Sequence, residues 1–191
     1  MPELREAPWK NGGGVTREIA ARRRGDALVW RLSMADVASD GPFSRFDGLS
    51  RILIVIAGNG MELTGPAISL QADYGVPVRF DGGLAIASRL KAGPLRDLNL
   101  MFDPVLCAGE ATVIANFQSH HVEVEPDQIA AFHCFKGAIG LGGEHRLAQG
   151  DTALLDPGPQ RMTSADGASA VLVTVTFAAH IAASNPDMAA R

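Results

Sequence analysis

The fold class of this chain is decided by residues 28–37, which read LVWRLSMADV. Successive side chains of a β-strand point to opposite faces, so apolar residues that alternate with others indicate a strand with two different faces. One face carries Arg31, Ser33 and Ala35, and the residues between them make an apolar face. The segment therefore predicts a strand with a core on one side and either solvent or a cavity on the other.

The same alternation appears farther along the chain, in residues 95–102, which read LRDLNLMF. Here Asp97 and Asn99 share one face. Polar side chains in an otherwise apolar strand either face water or line a cavity, and polar groups that converge in the mouth of an antiparallel barrel are a common ligand site. We predict that Asp97 and Asn99 line a cavity. For Arg31 and Ser33 the pattern does not decide between the cavity and the solvent.

Short segments of this kind recur through the chain between Gly, Pro and Asp, while helical periodicity is weak. The predicted strands are Val15–Ala20, Leu28–Val37, Arg51–Ala57, Met61–Thr64, Ala67–Ala72, Leu84–Arg89, Leu95–Phe102, Ala111–Phe117, Ile129–Phe135, Ala138–Leu141, Thr152–Leu155 and Ala170–Phe177. The pattern predicts an all-β chain built as a sandwich, a jelly roll or a barrel. The tail after Ala178 lacks strand patterning and is predicted to end in a short helix or to fray.

Two stretches of the chain are similar to each other. Residues 74–82 read YGVPVRFDG and residues 150–158 read GDTALLDPG, and both place aspartate with glycine or proline at a bend beside a short apolar strand. Similarity at a spacing of about half the chain indicates two fused units of one kind. We therefore predict two tandem β-barrels, residues 1–103 and residues 104–191.

The composition argues against several classes of partner. The 191 residues include 17 Lys and Arg against 21 Asp and Glu, for a net charge of −4, so a broad electrostatic footprint for nucleic acid is not indicated. The basic run at residues 22–24 lies beside Gly25 and Asp26, which predicts a solvated hairpin tip.

The chain also lacks the sequence signs of export or membrane insertion. Charged residues without an apolar stretch occupy its first ten positions, so no secretory signal is expected. The longest apolar run, residues 52–57, is too short to span a bilayer and suits a buried strand. Cys107 and Cys134 cannot define a disulfide framework in a chain of this size. We expect a cytoplasmic protein with reduced thiols and no membrane partner.

The most unusual segment is residues 8–19, PWKNGGGVTREI. Three consecutive glycines indicate that the chain needs unusual dihedral angles there or that another group approaches the backbone closely. We interpret the segment as one wall of a small-molecule site. The alternative is a glycine-rich entry into a first strand with solvated polar side chains. A phosphate loop is disfavoured because Lys10 precedes the glycines and a strand follows them.

Metal and thiol chemistry find little support in the sequence. His121, Glu123 and Glu125 share one strand face, which would suit a metal site, but a solvated edge strand is the commoner cause of that pattern. His133 and Cys134 are adjacent on a predicted strand and should diverge, so Cys134 is predicted to lie in the core. We expect no metal and no cofactor.

Several segments together resemble one known family. PWKNGGGVTREI at 8–19, WRLS at 30–33, DGPFS at 40–44, Arg51, FDG at 80–82 and GPLRDLNLM at 93–101 resemble, in order, the pattern of the HutD/Ves family. The resemblance covers most of residues 8–103 and is loose afterwards. It implies a cupin-like (RmlC-like jelly roll) double β-barrel. It also implies an association with bacterial histidine utilisation, as an accessory or regulatory factor without a catalytic cycle that senses a small acidic intermediate.

Metal-binding cupins carry a His-x-His pair with a later glutamate, and a further histidine after a Pro-x-Gly turn. Neither half of this chain has that set, since residues 157–161 read PGPQR. This departure from the cupin pattern argues against a cupin dioxygenase.

These observations lead to a hypothesis of carboxylate binding, in which the ligand is an N-acylated acidic amino acid such as N-formylglutamate. The candidate residues divide by chemistry. Lys10, Arg17 or Arg31 would pair the carboxylate; Asn11, Ser33 and Asn99 would orient an amide or formyl group; Trp9 and Phe43 would supply apolar walls; Thr16, Glu18, Ser44, Arg51 and Asp97 complete the predicted ligand-binding set. Asp81 and Asp97 are expected to hold arginines rather than to touch an anion.

Two other classes of function stay open. One is a metal-independent isomerase or hydrolase that acts on a small acidic metabolite, with Glu18 or Asp97 as general base and Lys10 as electrophilic stabiliser. The other is a structural partner of another pathway protein. A homodimer through edge strands is also left open.

Overall fold

The structure, a computed structural model, describes residues 5–9, 12–143 and 145–178. All regular elements formed by these residues are β-strands, which confirms the prediction of an all-β chain. Within the described ranges, no helix exists that is long and apolar enough to cross a membrane. The tail after Ala178, predicted to be a short helix or frayed, lies outside the described residues.

The chain divides into two compact units, Met1–Pro104 and Val105–Arg191. The strands of the first unit are β1 Arg5–Pro8, β2 Gly14–Arg24, β3 Ala27–Val37, β4 Gly41–Pro42, β5 Ser50–Ala57, β6 Met61–Gly65, β7 Ile68–Ala72, β8 Val78–Asp81, β9 Ala87–Leu90 and β10 Leu95–Phe102. The strands of the second unit are β11 Cys107–Val124, β12 Gln128–Lys136, β13 Ile139–Leu141, β14 His145–Leu147, β15 Thr152–Leu155 and β16 Gly158–Phe177.

The described part of the first unit contains two antiparallel sheets. The larger sheet has the strand order β1-β2-β3-β10-β5-β8, and the smaller has the order β4-β9-β6-β7. Strand β10 is therefore central, with β3 on one side and β5 on the other. Strands β3 and β10 are the two whose alternation the sequence shows, β5 contains the longest apolar run, and all three are buried over most of their length.

An apolar core lies between the sheets of the first unit. Its buried members include Val37 from β3, Leu53 and Val55 from β5, and Leu95 from β10, together with Met61 from the smaller sheet. The four members from the larger sheet share their strand faces with the polar residues singled out in the sequence, because they are separated from them by even numbers of positions. The same face thus passes from apolar core to polar groups along each strand.

The second unit is built around two long strands. Strand β16 pairs with β11, β12 and β13, and the sheet continues to β14 and β15. The β11 and β16 ladder shifts register near Ile114 and Phe117, where Asn116 has a φ of 53°, as expected for a β-bulge. Alternation is interrupted at the bulge, which explains why the sequence predicted only part of each long strand.

The core of the second unit is apolar. Phe132, Ile139 and Met162 are fully buried in it, and Cys134 is buried with them, as predicted. The ring of His120 stacks on Phe132 with a centroid distance of 6.4 Å. This side chain is therefore accommodated by aromatic packing.

Some short strands were missed by the sequence analysis, and the reason is chemical. Strands β1 and β4 contain proline and no β-branched residue, so they give no propensity signal and form only because a neighbouring strand offers an edge. The hairpin between β2 and β3 turns at Gly25, with a φ of 58°, and Arg24 and Asp26 are exposed there. This confirms the predicted solvated hairpin tip.

Candidate functional site

A cavity of about 520 Å³ lies within the first unit. The predicted site residues that line it are Trp9, Thr16, Arg31, Ser33, Phe43, Ser44, Arg51, Asp97 and Asn99. The remaining lining residues are Ala7, Pro8, Ala35, Pro42, Phe46 and Met101. The choice that strand alternation left open for Arg31 and Ser33 is thus settled in favour of the cavity.

Other predicted site residues lie elsewhere. Arg17 is not part of the lining, because it follows Thr16 on β2 and adjacent strand residues face opposite sides. Its guanidinium is already paired with Glu6 at 2.7 Å and with Asp36 at 2.5 Å. Glu18 is also outside the lining, although its charge acts on Arg31. Lys10 and Asn11 lie outside the described residues.

The register of the three central strands arranges the polar groups in rows across the sheet. Each row contains one residue from β3, one from β10 and one from β5. From the C-terminal end of β10 towards its start, the rows are Arg31–Met101–Arg51, Ser33–Asn99–Leu53 and Ala35–Asp97–Val55. The first row holds two cations, the second holds neutral polar groups, and the third holds an acid between apolar neighbours. Beyond the third row lie Leu95 and Val37, which belong to the apolar core.

Arg51 is the most deeply buried cation of the site, with 4% of its surface exposed. Its Nε donates to Asn99 Oδ1 and its Nη1 donates to the backbone oxygen of Ser44, each at 3.4 Å, which is long for a hydrogen bond. Its guanidinium carbon lies 5.2 Å from the ring centroid of Phe43 and 5.0 Å from that of Phe80. Burial lowers the pKa of Arg51 to about 10, and the charge of Asp97 opposes this shift.

Arg31 is half-buried and also has unused hydrogen-bonding capacity. Its Nη2 donates to Met101 Sδ at 3.4 Å, and its guanidinium carbon lies 5.3 Å from the ring centroid of Phe46. Its Nε is buried and has no hydrogen-bond partner among the described residues. Burial lowers the pKa of Arg31, while the charge of Glu18 opposes this shift. The cavity therefore has a second cation beside the first.

Asp97 is the acid of the cavity lining, and only 1% of its surface is exposed. Its Oδ1 has no hydrogen-bond partner within the described ranges. Burial raises the pKa of Asp97 to about 7, against the opposing effects of the Arg51 charge and a hydrogen bond with Asn99. Near neutral pH the carboxyl is therefore divided between its charged and uncharged forms.

Asp81, which was also expected to hold an arginine, has a different role. Its Oδ1 accepts a hydrogen bond from the backbone N–H of Gly83 at 2.7 Å. This contact stabilises the turn after β8, and it corrects the prediction for this residue.

The glycine-rich segment forms one wall of the cavity through Trp9. The indole Nε1 of Trp9 donates to Thr16 Oγ1 at 2.8 Å, and its ring meets Phe43 edge-on at a centroid distance of 6.1 Å. A Cβ at Gly14 would lie 2.4 Å from the backbone oxygen of Asp36 and 3.1 Å from the Trp9 ring. Gly12 has a φ of 71°. Both reasons proposed for the glycines are thus confirmed.

Phe46 is a site residue that the predicted set did not include. It lines the cavity, and its ring lies beneath both Arg31 and Arg51, at 5.3 and 5.6 Å from their guanidinium carbons. The signal was present in the sequence, because an aromatic side chain in a turn usually docks into something. Which cations it would meet depends on the approach of β3 and β5 and was not readable from the sequence.

The histidines do not assemble a metal centre in the part of the chain that the structure describes. No group of three His, Cys, Asp or Glu side chains there is placed to hold a metal ion. His121 and Glu123 line a shallow depression on β11 and β16 together with Arg161, which lies opposite His121 in the ladder.

The fold and the cavity define the class of this protein: it is a cupin-like, all-β protein whose first unit contains a cavity lined by aromatic and polar side chains. A cupin 2 conserved barrel domain protein from Leptotrichia buccalis is similar to it with a TM-score of 0.57 and 10% identity, over 92% of this chain and 98% of that one. At this identity the likeness shows the fold alone, and it confirms the predicted fold class.

Within this class, the chain belongs to the HutD family, whose model matches residues 1–173. A relative from Pseudomonas putida, described as an uncharacterized 21.2 kDa protein in hutC 3'region, is 33% identical over 157 residues, which are 68% of this chain and 80% of the relative. The structure of HutD from Pseudomonas fluorescens SBW25 in a formate condition is similar with a TM-score of 0.78 and 27% identity, over 92% of this chain and 95% of that one. These findings confirm the resemblance to the family.

Proposed function

We propose that this chain is a non-catalytic, small-carboxylate-binding protein that acts as an accessory or regulatory factor in histidine utilisation. Its ligand is an acidic intermediate such as N-formylglutamate, and occupancy of the cavity reports or limits flux through histidine breakdown. Arg31 and Arg51 pair the carboxylate, Ser33 and Asn99 orient the amide or formyl group, and the aromatic side chains supply apolar walls.

The observation that carries this proposal is a pair of guanidinium groups that face one cavity without an ion pair. A buried cation is costly unless an anion compensates it. Among the described residues, neither Arg31 nor Arg51 forms a salt bridge, and Asp97 is partly protonated near pH 7. A small anion would supply the missing charge, and the planar fork of arginine suits a carboxylate.

The relatives support the link to the pathway. The Pseudomonas putida relative is described by its place in the hutC 3'region, and the Pseudomonas fluorescens protein is described as HutD in a formate condition. We therefore extend the link to histidine utilisation to this chain as part of the proposal, whereas the carboxylate ligand is inferred from the two arginines of the cavity.

The test is calorimetric titration with urocanate, N-formylglutamate, formate and glutamate, followed by analysis of the recovered ligand. We expect saturable binding of an acidic compound that is recovered intact. Arg51→Met removes the buried charge at similar volume and should weaken this binding by about 30-fold or more, as loss of a buried charge contact usually does. Arg31→Met should weaken it as well.

The matched control is Arg24→Met, which makes the same chemical change at the exposed hairpin tip and should leave the affinity unchanged. Equal weakening by the control would show that net charge, not the cavity, governs binding. Absence of binding across the panel would overturn the proposed ligand and would leave a structural partner of another pathway protein as the better hypothesis.

A second function is favoured by one specific observation, the raised pKa of Asp97. A carboxyl whose pKa lies near 7 inside a cavity has the property required of a general base, so a metal-independent isomerase or hydrolase is the alternative. Glu18, the other predicted base, does not line the cavity. Conversion of a panel compound over hours, abolished by Asp97→Asn, would replace the binding proposal with this enzyme.

A further inference from the structure

Resting on the carboxylate site proposed above, we propose that Asp97 recognises the end of the ligand that lies opposite its carboxylate. Asp97 takes up a proton from solvent when the ligand binds, and it donates that proton in a hydrogen bond to a carbonyl or carboxyl oxygen of the ligand. The site is thereby specific for small carboxylates that carry a second oxygen acceptor.

The first support is the arrangement of polar rows on the sheet. Met101 lies between the two arginines, and Asp97 is two rows away on the same face of β10. Arg51 reaches along the sheet to the middle row, where its Nε is 3.4 Å from Asn99 Oδ1. One row corresponds to roughly 7 Å along an antiparallel strand. A ligand of a few carbon atoms therefore spans the gap between the guanidinium and Asp97.

The second support is the unsatisfied oxygen of Asp97. Asp97 lines the cavity, and its Oδ1 is buried and has no hydrogen-bond partner in the described part of the chain. A buried polar atom without a partner is costly, and native proteins rarely keep one without a functional reason. The position of Asp97 between Ala35 and Val55 leaves the cavity as the side from which a partner can approach.

The charges that face Asp97 decide its protonation. Arg51 from β5 favours the ionised form, Asp36 from β3 disfavours it, and Asn99 on its own strand donates to it. Arg31 on β3 is the remaining charged residue in the described lining. A bound carboxylate pairs with the arginines, and its negative charge offsets the stabilisation that the Arg51 charge gives to ionised Asp97. Binding and protonation of Asp97 therefore favour each other.

Protonation decides which chemical group Asp97 recognises. A neutral carboxyl donates one hydrogen bond, whereas an ionised carboxylate only accepts. Because the filled site holds the neutral form, the far end of the ligand must present an acceptor oxygen and not an ammonium group. The cations at one end and the acid at the other then select ligand length as well as charge.

The experiment uses matched probes on the full chain. Pentanoate, 4-oxopentanoate and 4-aminopentanoate have the same carbon skeleton and differ in one group. We expect 4-oxopentanoate to bind about tenfold more tightly than pentanoate, and 4-aminopentanoate to bind more weakly than both. Above about pH 7 the affinity for 4-oxopentanoate should fall by about tenfold for each pH unit.

Proton uptake is measured directly by repeating the titration in buffers with different heats of ionisation. At about pH 8, close to one proton should be taken up for each 4-oxopentanoate bound. Asp97→Asn keeps a donor but cannot titrate, so it should bind the probe with pH-independent affinity and without proton uptake. Asp26→Asn, in the exposed hairpin turn, should behave as the wild type. The proton count needs no variant, so it decides the matter even if Asp97→Asn does not fold.

The outcomes separate this proposal from the one it rests on. Binding of all three probes with pH-independent affinity and no proton uptake would overturn the role of Asp97 while leaving the carboxylate site intact. Tighter binding of 4-aminopentanoate would show that Asp97 is an ionised acceptor and would also overturn it. Failure of every carboxylate to bind at any pH would overturn the proposed function itself.

Discussion

At the scale of single residues, burial gives similar side chains different roles. Arg17 and Arg51 are both arginines of the family pattern, but Arg17 is paired with two carboxylates on the outer face of β2, whereas Arg51 faces the cavity over aromatic rings. Asp36 and Asp97 also differ in their surroundings, and their pKa values shift in opposite directions. Hydrogen bonds from arginine lower the pKa of Asp36, whereas burial raises that of Asp97.

The raised pKa of Asp97 predicts how stability depends on pH. Between the ordinary pKa of 3.8 and the raised pKa of about 7, the folded form holds a proton that the unfolded form has released. The stability that this proton contributes is fully present below pH 3.8 and is lost as the pH rises to about 7. Between about pH 5 and about pH 8, the wild type should lose on the order of 3 kcal/mol relative to Asp97→Asn. Urea unfolding of both proteins at several pH values measures this difference.

The same pH series includes Asp26→Asn as a control. Asp26 is exposed, so its replacement should leave the pH slope of the wild type unchanged. Parallel pH profiles for the wild type and Asp97→Asn would contradict the raised pKa.

Arg17 gives a prediction that separates pairing from ligand binding. Because its partners Glu6 and Asp36 are partly exposed, Arg17→Ala should cost about 1 kcal/mol of stability. The affinity for carboxylates should stay within about twofold of the wild type, since the side chain lies outside the cavity. Thermal unfolding measures the stability and calorimetry measures the affinity on the same preparation. A large loss of affinity would show that Arg17 contributes to ligand binding.

At the scale of elements, the site depends on strand register and on one close approach. The central position of β10 places Asp97 and Asn99 beside the polar residues of β3 and β5. The start of β2 holds Trp9 against the cavity, because Gly14 leaves room for the indole ring and for the backbone of Asp36. Alternation along β3 and β10 was readable from the sequence, but the partners across the sheet were not.

Gly14→Ala tests the role of this close approach. The added methyl group would meet the backbone oxygen of Asp36 at 2.4 Å, so the chain must shift, and the Trp9 wall must shift with it. We expect a loss of about 1–3 kcal/mol in the free energy of unfolding and weaker carboxylate binding. Gly12→Ala is the control, since its Cβ would meet nothing within 4 Å and its cost is mainly the positive φ. Comparable loss of affinity in the two variants would contradict the proposed wall.

At the scale of the whole molecule, the two units differ in chemistry. The first unit contains polar groups that converge on a cavity, whereas the core of the second is filled by apolar side chains such as Phe132, Ile139 and Met162. We infer that the ligand site belongs to the first unit alone. The homodimer through edge strands stays a prediction, which sedimentation analysis measures.

Ile139→Val tests the separation of stability from binding. Ile139 is fully buried in the second unit, so removal of one methyl group should cost about 1 kcal/mol. Calorimetry should give an unchanged dissociation constant for a bound carboxylate, and a saturating ligand should raise the melting temperature of variant and wild type by similar amounts. A changed dissociation constant would contradict a site confined to the first unit.

The sequence by itself determined the all-β class, the strand faces and the glycine requirement, because these depend on local periodicity and on backbone sterics. It also carried the family, through motifs in residues 8–103. Only the tertiary structure decided that Thr16 and Arg51 face the cavity while Arg17 and Glu18 do not line it, and that Phe46 lies beneath two arginines. The state of Asp97 was likewise decided there, because its pKa depends on burial by strands that are distant in sequence. Register, burial and charge proximity are properties of the assembled sheet, and no local pattern contains them.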